Sequence, residues 1–366
     1  MEKLRVGVIF GGISTEHEVS VVSATTVLKA LDPSRYEPIP IGVGHDGSWR
    51  TAPAEAGLMP EAVFESSDAL EVFPIVRRGL ELVGNDGQAA LPEPVDVYFP
   101  IIHGRLGEDG SLQGLLQVAG VPYVGAGVLA SSVAMDKGIT KRVLGHAGLP
   151  VLPWFEVPRA EALVAGEDLL DAIERRVGLP AFVKPANTGS SVGVHRIIDR
   201  AGAREALRDA ARYDLRLVVE PGLNAREIEC AVLGGQEPEA SVLGEIVPDR
   251  EFYDYESKYV SEGSQLLVPA PLDETVAEEA CDLARRAFRA IGAWGMARVD
   301  FLMNRATGAL YINELNTLPG FTEISMYPML WGASGVPLPS LVDRLIELAL
   351  ERHREQRELE VRYSRS

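Results

Sequence analysis

Two strand-like runs within residues 296–316 carry polar side chains at alternate positions, on either side of a short turn centred at Thr307. A three-residue hairpin loop containing glycine fits this turn, and it places Asp300 directly opposite Glu314. Because side chains along a strand alternate between two faces, one face of the hairpin gathers the residues that could do chemistry. These residues are Arg298, Asp300, Glu314 and Asn316, whereas the other face is a packing face with Val299, Phe301, Met303, Tyr311 and Leu315.

The facing carboxylates of Asp300 and Glu314 would repel each other if nothing lay between them. A divalent cation removes this repulsion, and oxygen ligands from Asp300, Glu314 and Asn316 suit Mg²⁺, which usually takes one or two protein carboxylates plus substrate phosphates. Arg298 would then stand at the edge of the site and face a developing negative charge. The alternative interpretation is a surface network of arginine and carboxylates without a metal.

Two loops rich in small residues could approach a phosphate closely. The first, FVKPANTGSSVGV at 182–194, offers backbone N–H groups and hydroxyls between two strands, although it is not a Walker A sequence and could be a plain turn. The second, GGISTEHEVS at 11–20, leads from a strand into a helix N-terminus, which favours anions. Glu16 in this loop is either a charge that complements the helix dipole or a ligand for a substrate amine.

The elements that must position these groups alternate between strand and helix in the first part of the chain, which predicts a doubly wound α/β domain. His103 directly follows the third strand, where such folds place functional sites. Residues 50–94 are less periodic and support no prediction. The predicted strands cover 4–10, 38–43 and 95–102, and the predicted helices cover 16–31 and 111–119.

The rest of the chain predicts two further α+β units. We expect an N-terminal α/β domain at 1–127, a central domain at 128–221 and a C-terminal domain at 222–366 that contains a mobile loop at 249–265. The central domain is predicted to open with one long helix at 128–147. The other predicted strands lie at 151–157, 180–185, 191–198, 215–220 and 227–233, and the other helices at 200–211, 273–291 and 338–357.

The composition is that of an acidic globular protein of 366 residues, with 35 Lys and Arg against 53 Asp and Glu and a net charge of -18. Such a field repels nucleic acid and anionic membranes, so we expect neither as a partner. The two cysteines have no CxxC spacing and are interpreted as free thiols of a reducing compartment. Because the first residues form a strand rather than a signal peptide, we expect a cytoplasmic protein.

Eight segments of the chain, taken in order, resemble those of the D-alanine–D-alanine ligases of the ATP-grasp superfamily. The resemblance is specific because eight segments occur in the same order between residues 11 and 328. It implies a three-domain ATP-grasp fold, with ATP held between the central and C-terminal domains, and a homodimer. The segments are GGISTEHEVS, HGRLGEDGSLQG, MDK, VKPANTGSSVGV, EPGLNAREIE, FYDYESKY, RVDF and NELNTLPGFTEISMYP.

The resemblance also implies roles for individual positions in binding ATP. Lys137, Lys184 and Lys258 would contact phosphates. Glu220 and the backbone at Leu223 would bind the adenine, and Glu227 the ribose. Two Mg²⁺ ions, with Mn²⁺ as an alternative ion, would be held by the residues of the hairpin argument, namely Asp300, Glu314 and Asn316.

For the amino acid substrates, the resemblance assigns Glu16 to the amino group of the first D-alanine, with His103 as a further substrate contact. Ser190 and Tyr259 would complete a hydrogen-bonded set with Glu16 that closes the loop over the site. Arg298 and the backbone N–H of Gly320 would stabilise the tetrahedral intermediate. Ser325 and Met326 would bind the carboxylate of the second amino acid. At the position of Met326 the family often has Leu.

The implied reaction joins two D-alanine molecules through a D-alanyl phosphate, with release of ADP and phosphate, for peptidoglycan precursor synthesis. Three alternatives stay open at this point. A relative that makes D-alanyl-D-lactate would look similar, although Tyr259 favours the dipeptide. The others are a different ATP-grasp carboxylate–amine ligase and a non-catalytic nucleotide-binding protein on the same fold.

Overall fold

The computed structural model describes residues 3–51, 60–65, 69–76, 79–91, 93–248 and 265–360, which form three β-sheets with flanking helices. The predicted mobile loop at 249–265 lies outside these described residues except for Gln265, and so do Lys258 and Tyr259. Within the described residues, no helix has the length and apolar character needed to cross a membrane.

The first sheet has six strands in the order β5-β4-β3-β2-β1-β6. Its centre is parallel, because β1 pairs with β2 on one side and with β6 on the other. Both faces of such strands are covered, which explains the continuous apolar run of β1. The strands are β1 (Leu4–Gly11), β2 (Tyr36–Val43), β3 (Trp49–Thr51), β4 (Leu70–Val76), β5 (Leu80–Gly84) and β6 (Val97–Pro100), and the helices are α1 (His17–Ala30), α2 (Pro60–Glu65) and α3 (Ser111–Ala119).

The region 50–94, for which the sequence supported no prediction, extends this sheet. Strands β3, β4 and β5 add to it in antiparallel order. They are short and interrupted by glycine and proline. The alternation of apolar and polar residues that marks a strand is therefore too brief to be detected in the sequence.

The second sheet is fully antiparallel, in the order β7-β10-β8-β9. Its strands are β7 (Phe155–Pro158), β8 (Ala181–Pro185), β9 (His195–Ile197) and β10 (Arg216–Pro221). Helices α4 (Val128–Met135) and α5 (Lys137–His146) precede it in the chain, and its own apolar cluster includes α6 (Arg159–Val164), α7 (Glu167–Arg176) and α8 (Arg200–Ala210).

The single helix predicted at 128–147 is wrong, because the chain forms α4 and α5 with a break at Asp136. Asp136 is extended, with φ -90° and ψ 101°, and its carboxylate accepts a 3.0 Å hydrogen bond from the Ile139 N–H. It therefore caps the N-terminus of α5. The cap fixes the direction of the first residue of that helix, Lys137.

The third sheet runs in the order β13-β12-β11-β14-β15, with all neighbours antiparallel. Its strands are β11 (Ala225–Gly234), β12 (Glu239–Val247), β13 (Gln265–Leu267), β14 (Gly295–Asn304) and β15 (Leu310–Asn316). The remaining helices are α9 (Glu274–Ala290), α10 (Met326–Ala333) and α11 (Leu338–Glu358).

The last helix connects the two ends of the chain. Leu341 and Leu345 of α11 are fully buried in the same apolar cluster as Val6 and Val8 of β1. Arg352, only 7% exposed, donates hydrogen bonds to the backbone at Tyr123 and Gly125, each 2.7 Å long. The third and first sheets are thereby held against each other.

Candidate active site

The hairpin of β14 and β15 has the predicted pairing at its open end. Arg298 lies opposite Asn316, and Asp300 lies opposite Glu314. The register then changes, because Phe301 pairs with Ile312 and leaves Asn313 as an extra residue. This is a β-bulge, and a prediction that pairs the two strands residue by residue from the turn cannot reveal it.

The bulge lets two consecutive residues of β15 line one cavity, Asn313 and Glu314. Past the bulge the faces are exchanged, so that Ile312 is fully buried in the core. The prediction that Tyr311 lies on the packing face is therefore wrong, since Tyr311 is only half-buried and Ile312 takes its place. The loop is also longer than predicted, with five residues between the strands, 305–309.

Three carboxylates lie side by side across β11, β14 and β15. Glu229 of β11 is the register partner of Asp300, which is in turn the partner of Glu314. We refer to these three residues as the acidic row. Glu229 was not predicted, because the pairing of β11 with β14 joins segments far apart in sequence and no local pattern fixes its register.

Arg298 is bound to the acidic row. Its Nε and Nη2 donate hydrogen bonds of 2.7 Å to the two oxygens of Asp300, and Nε is also 3.0 Å from Oε2 of Glu229. Burial by itself would lower the pKa of Arg298, but Asp300 and Glu229 hold that pKa well above its usual value. The guanidinium is therefore a fixed positive charge at the end of the hairpin.

The donor set Asp300, Glu314 and Asn316 fits a hard divalent cation, since it offers carboxylate and amide oxygens. No cluster of three or more His, Cys, Asp and Glu side chains in the described parts of the chain is arranged as a complete metal cage. Two carboxylates and an amide leave several positions to substrate phosphates, as Mg²⁺ prefers. Because both oxygens of Asp300 accept hydrogen bonds from Arg298, a cation would have to displace part of that contact.

A cavity of about 780 Å³ lies between the second and third sheets. Its volume is in the range of small-molecule and cofactor sites. Lys137 reaches into it from α5, donating a 2.6 Å hydrogen bond to the Thr188 carbonyl while its Nζ stands 3.8 Å from Oε2 of Glu314. The predicted site residues that line this cavity are Lys137, Lys184, Ser190, Glu220, Leu223, Glu227, Asp300 and Glu314.

Two lysines hold the Glu220 carboxylate. Lys184 Nζ contacts Oε1 of Glu220 and lies 3.3 Å from Asn313 Oδ1, while Lys141 Nζ lies 2.9 Å from Oε2. Burial by itself would raise the pKa of Glu220, but the two ammonium groups lower it to about 2. Burial likewise opposes the charge of Lys184, yet its pairing with Glu220 raises the pKa of Lys184. Lys141 was not predicted, although its spacing of four residues from Lys137 was visible.

The hydroxyl of Ser190 donates a hydrogen bond to Oε1 of Glu16, which joins the loop at 182–194 to the N-terminus of α1. Glu16 is only 9% exposed. Gly104 adjoins it, at a φ of +75° where an added Cβ would lie 2.6 Å from Oε2 of Glu16, so only glycine fits. Ser190 itself has a φ of +48°, a costly conformation for serine of the kind that clusters at functional sites.

His103 is buried, and protein atoms contact both nitrogens of its ring. Nδ1 lies 3.1 Å from the Leu318 carbonyl and 3.3 Å from the Glu108 carboxylate, so it must carry the proton. In the neutral ring Nε2 then accepts from the Ser23 hydroxyl at 3.2 Å, and Ser23 accepts from the Phe321 N–H at 3.2 Å. In these contacts His103 positions the segment 318–321, and its predicted role as a substrate contact remains a prediction.

The segment after β15 brings Gly320 next to Ser325. An added Cβ at Gly320 would lie 2.7 Å from Oγ of Ser325, so a side chain at position 320 would displace the Ser325 hydroxyl. Ser325 Oγ accepts a 3.0 Å hydrogen bond from the Thr322 N–H and directly precedes α10. The Met326 side chain is buried against Gly244, which leaves the Met326 backbone as the part that could meet a ligand.

Comparisons with known proteins agree with the assignment of the fold. Residues 5–126 match the family model described as the D-ala D-ala ligase N-terminus, and residues 143–347 match the D-ala D-ala ligase C-terminus. A D-alanine–D-alanine ligase of Heliobacterium modesticaldum is 46% identical, with 97% of each chain covered.

Two solved structures show the same architecture. The D-alanine-D-alanine ligase from Coxiella burnetii superposes with a TM-score of 0.86 at 37% identity, covering 98% of this chain and 97% of that one. A D-Ala:D-Ser ligase from Enterococcus faecalis gives a TM-score of 0.85 at 32% identity, covering 95% and 100%. The predicted ATP-grasp fold is confirmed, the protein is a ligase, and the chain belongs to the D-alanine–D-alanine ligase family.

Proposed function

We propose that this protein joins two D-alanine molecules into D-alanyl-D-alanine with ATP, through a D-alanyl phosphate. The observation that carries the proposal is the hydrogen bond from Ser190 to Glu16. It brings the carboxylate suited to a substrate amine into contact with the loop suited to phosphates. A first substrate anchored at Glu16 would therefore present its own carboxylate toward the nucleotide cavity.

In the first half-reaction, the D-alanine carboxylate attacks the terminal phosphate of ATP. Lys137 and Lys184, which line the cavity, would neutralise the charge of the transferred group. Asp300, Glu314 and Asn316 would hold two Mg²⁺ ions, which when bound supply charge neutralisation to the phosphates. Glu227 and the backbone at Leu223, which also line the cavity, would bind the nucleoside.

In the second half-reaction, the amine of the second D-alanine attacks the acyl carbon and phosphate leaves. Arg298 and the Gly320 N–H would stabilise the oxyanion of the tetrahedral intermediate, the first with a positive charge and the second as a hydrogen-bond donor. Ser325 and the backbone at Met326 would receive the second carboxylate at the N-terminus of α10, where unpaired N–H groups favour an anion. We expect Lys258 and Tyr259 to close the site, although both lie outside the described residues.

The proposal includes the organisation of the chain. We place the domains at 1–127, 128–221 and 222–366, since each contains one of the three sheets. We further propose a cytoplasmic homodimer that supplies peptidoglycan precursors.

The test is the release of phosphate from Mg·ATP, with the product identified by mass. D-Alanine alone should release phosphate and give D-alanyl-D-alanine, while L-alanine should give neither. D-Lactate and D-serine, each offered together with D-alanine, test the alternative second substrates, of which D-serine is named for the relative from Enterococcus faecalis. Preferential formation of a mixed product at neutral pH would replace the proposed second substrate, and absence of turnover with every substrate would reject the proposed reaction.

A further inference from the structure

Lys141 is a buried lysine to which the proposed reaction assigns no task. It lies one helical turn after Lys137 in α5 and is only 3% exposed. Its Nζ stands 2.9 Å from Oε2 of Glu220, which is itself only 1% exposed. The contact is ionic, because Nζ is not aligned for a hydrogen bond to any described residue.

Lys141 stands behind Glu220 as seen from the cavity. Glu220 and Lys184 are among the described residues that line the cavity, and Lys141 is not. The carboxylate therefore lies between two ammonium groups, one facing the ligand space and one facing the protein interior. A nucleotide in the cavity can approach Lys184 directly but can be influenced by Lys141 only through Glu220.

A buried carboxylate that loses its partner is strongly destabilising, because the lost attraction is not replaced by water. Lys184 would share its charge between Glu220 and the phosphates once a nucleotide binds. Glu220 then needs a second cation that the ligand cannot reach, and Lys141 supplies it. The pKa of Glu220, lowered to about 2 by the two lysines against the effect of burial, agrees with this arrangement.

We propose that Lys141 is a positioning residue, which keeps Glu220 ionised and in place so that Glu220 holds the Lys184 ammonium at the nucleotide phosphates. This inference rests on the proposed binding of ATP in the cavity. It departs from the expected role of Glu220 in binding adenine, because the Glu220 carboxylate is engaged by Lys184 and Lys141. Lys141 is thereby assigned to the recognition of phosphate rather than of the base. Loss of Lys141 should therefore weaken ligands that carry phosphates and spare those that do not.

The experiment compares Lys141→Met with Lys29→Met, an exposed lysine of α1, by calorimetric titration with Mg·ADP and with adenosine. In Lys141→Met, we expect Mg·ADP binding to weaken about tenfold or more while adenosine binding changes less than about twofold, since a tenfold change corresponds to one charged contact. In Lys29→Met, neither ligand should change. Equal weakening of both ligands, or of neither, would overturn the proposal.

A double-mutant cycle covers the case in which Lys141→Met does not fold. Lys141→Met combined with Glu220→Gln removes both members of the buried ion pair, so the double variant should fold even if the single one does not. If Lys141 acts through Glu220, the double variant should bind Mg·ADP within about twofold of Glu220→Gln alone. A further tenfold loss in the double variant would show that Lys141 acts independently, and it would reject the proposal.

The same titrations separate this inference from the proposed reaction. A wild-type protein that binds Mg·ADP but joins no D-alanine would refute the substrate assignment, while a selective loss of Mg·ADP in Lys141→Met would still support the role of Lys141. A wild-type protein that binds no nucleotide would refute both.

Discussion

Asp300 lies at the centre of the acidic row, with Glu229 on one side and Glu314 on the other. It also accepts both hydrogen bonds of the Arg298 fork. The same carboxylate thus serves two positive partners, the arginine and the proposed metal. Glu229 provides a second contact for Arg298. A cation can therefore bind the Asp300 carboxylate while the guanidinium stays bound to Glu229.

Asp300→Asn should impair turnover far more than folding. The amide keeps the shape and one acceptor oxygen but removes the charge that attracts the metal, and Arg298 keeps its contact with Glu229. We expect kcat/KM with D-alanine to fall at least about a hundredfold, as when a group that stabilises transition-state charge is lost. The melting temperature should fall by no more than a few degrees, which corresponds to about 1 kcal/mol of unfolding free energy.

The control is Glu239→Gln, a change of the same kind at an exposed carboxylate that contacts Arg344. It should leave both the activity and the melting temperature unchanged. If Asp300→Asn unfolds the protein while each folded molecule retains its activity, the assignment of Asp300 to the metal is wrong.

The two cysteines give a prediction about pH. The neighbouring Cys230 thiol, against the effect of burial, lowers the pKa of Cys281 to about 7. Cys281 is partly exposed, whereas Cys230 is completely buried. Since the thiolate is the reactive form, alkylation of Cys281 should become faster as the pH rises through about 7.

Mass spectrometry of iodoacetamide-labelled peptides would measure this rate. Cys281→Ser should abolish rapid labelling, and Cys230→Ser should move the midpoint upward toward the value of an ordinary thiol, about 8.5. Labelling of Cys230 ahead of Cys281 would contradict the described environment of the pair.

At the residue scale, the sequence was sufficient to predict the part of the site that depends on the alternation of side chains within one hairpin. The pairing of Asp300 with Glu314 follows from one hairpin turn, and the structure confirms it. Lys141, Glu229 and Ser23 could not be predicted, because their partners are brought close only by tertiary packing. The bulge at Asn313 was also hidden, since it changes the side-chain alternation without any mark in the sequence.

Among the elements, the junction of α4 and α5 has the most direct effect on the cavity. Asp136 ends the first helix and caps the second, and its carboxylate also contacts Arg216 of β10. Lys137 is therefore aimed from a fixed helix N-terminus, next to the partial positive charge of the helix dipole. A cation at this end weakens the helix but strengthens a phosphate site.

Asp136→Ala should destabilise the protein and also weaken nucleotide binding. Loss of the cap costs about 1 kcal/mol of unfolding free energy, and the lost contact with Arg216 adds to it. Because the start of α5 is no longer fixed, we expect the KM for ATP to rise about fivefold or more, or about 1 kcal/mol. Denaturant unfolding and steady-state kinetics would measure the two effects.

Asp199→Ala is the matched control, since Asp199 caps α8 through a 2.8 Å hydrogen bond from the Gly202 N–H. It should reduce the unfolding free energy by the cost of a lost cap alone, about 1 kcal/mol, and leave the KM for ATP unchanged. An equal rise of KM in both variants would mean that general loosening, rather than the position of Lys137, is responsible.

The elements themselves were predicted best where they are long and regular. Helix α3, expected at 111–119, has these bounds in the structure. The break at Asp136 was missed because the segments on both sides of it are helical and only the aspartate, which caps the second helix, separates them. Three short antiparallel strands of the first sheet were missed for lack of a detectable period.

At the scale of the whole molecule, charge opposes the binding of a nucleotide. The chain carries a net charge of -18, and its described cavity lining does not reverse that sign. This lining has four basic side chains, Lys137, Lys184, Arg196 and Arg305, against five acidic ones, Glu220, Glu227, Glu229, Asp300 and Glu314. We therefore expect a divalent cation to be needed for nucleotide binding as well as for chemistry.

Removal of divalent metal should accordingly weaken ADP binding itself. We expect titration in EDTA to show a loss of at least about a hundredfold relative to Mg²⁺, or about 2.7 kcal/mol. Sodium chloride at matched ionic strength should not restore the affinity. Screening weakens the repulsion between like charges, but it does not supply a divalent cation to the carboxylates of the acidic row. Equal affinity with and without Mg²⁺ would mean that the basic side chains are sufficient.

The sharing of one apolar cluster by β1 and α11 has a consequence for the synthesis of the protein. Strand β1 leaves the ribosome well before the helix at Leu338–Glu358, because more than 300 residues separate the two elements. One face of the N-terminal sheet therefore lacks this cover while the residues between them are being made. Such exposed apolar surface is prone to aggregation and is a target for chaperones. Cotranslational folding of this enzyme should consequently be completed only when α11 has emerged, after every residue assigned to the site is already in place along the chain.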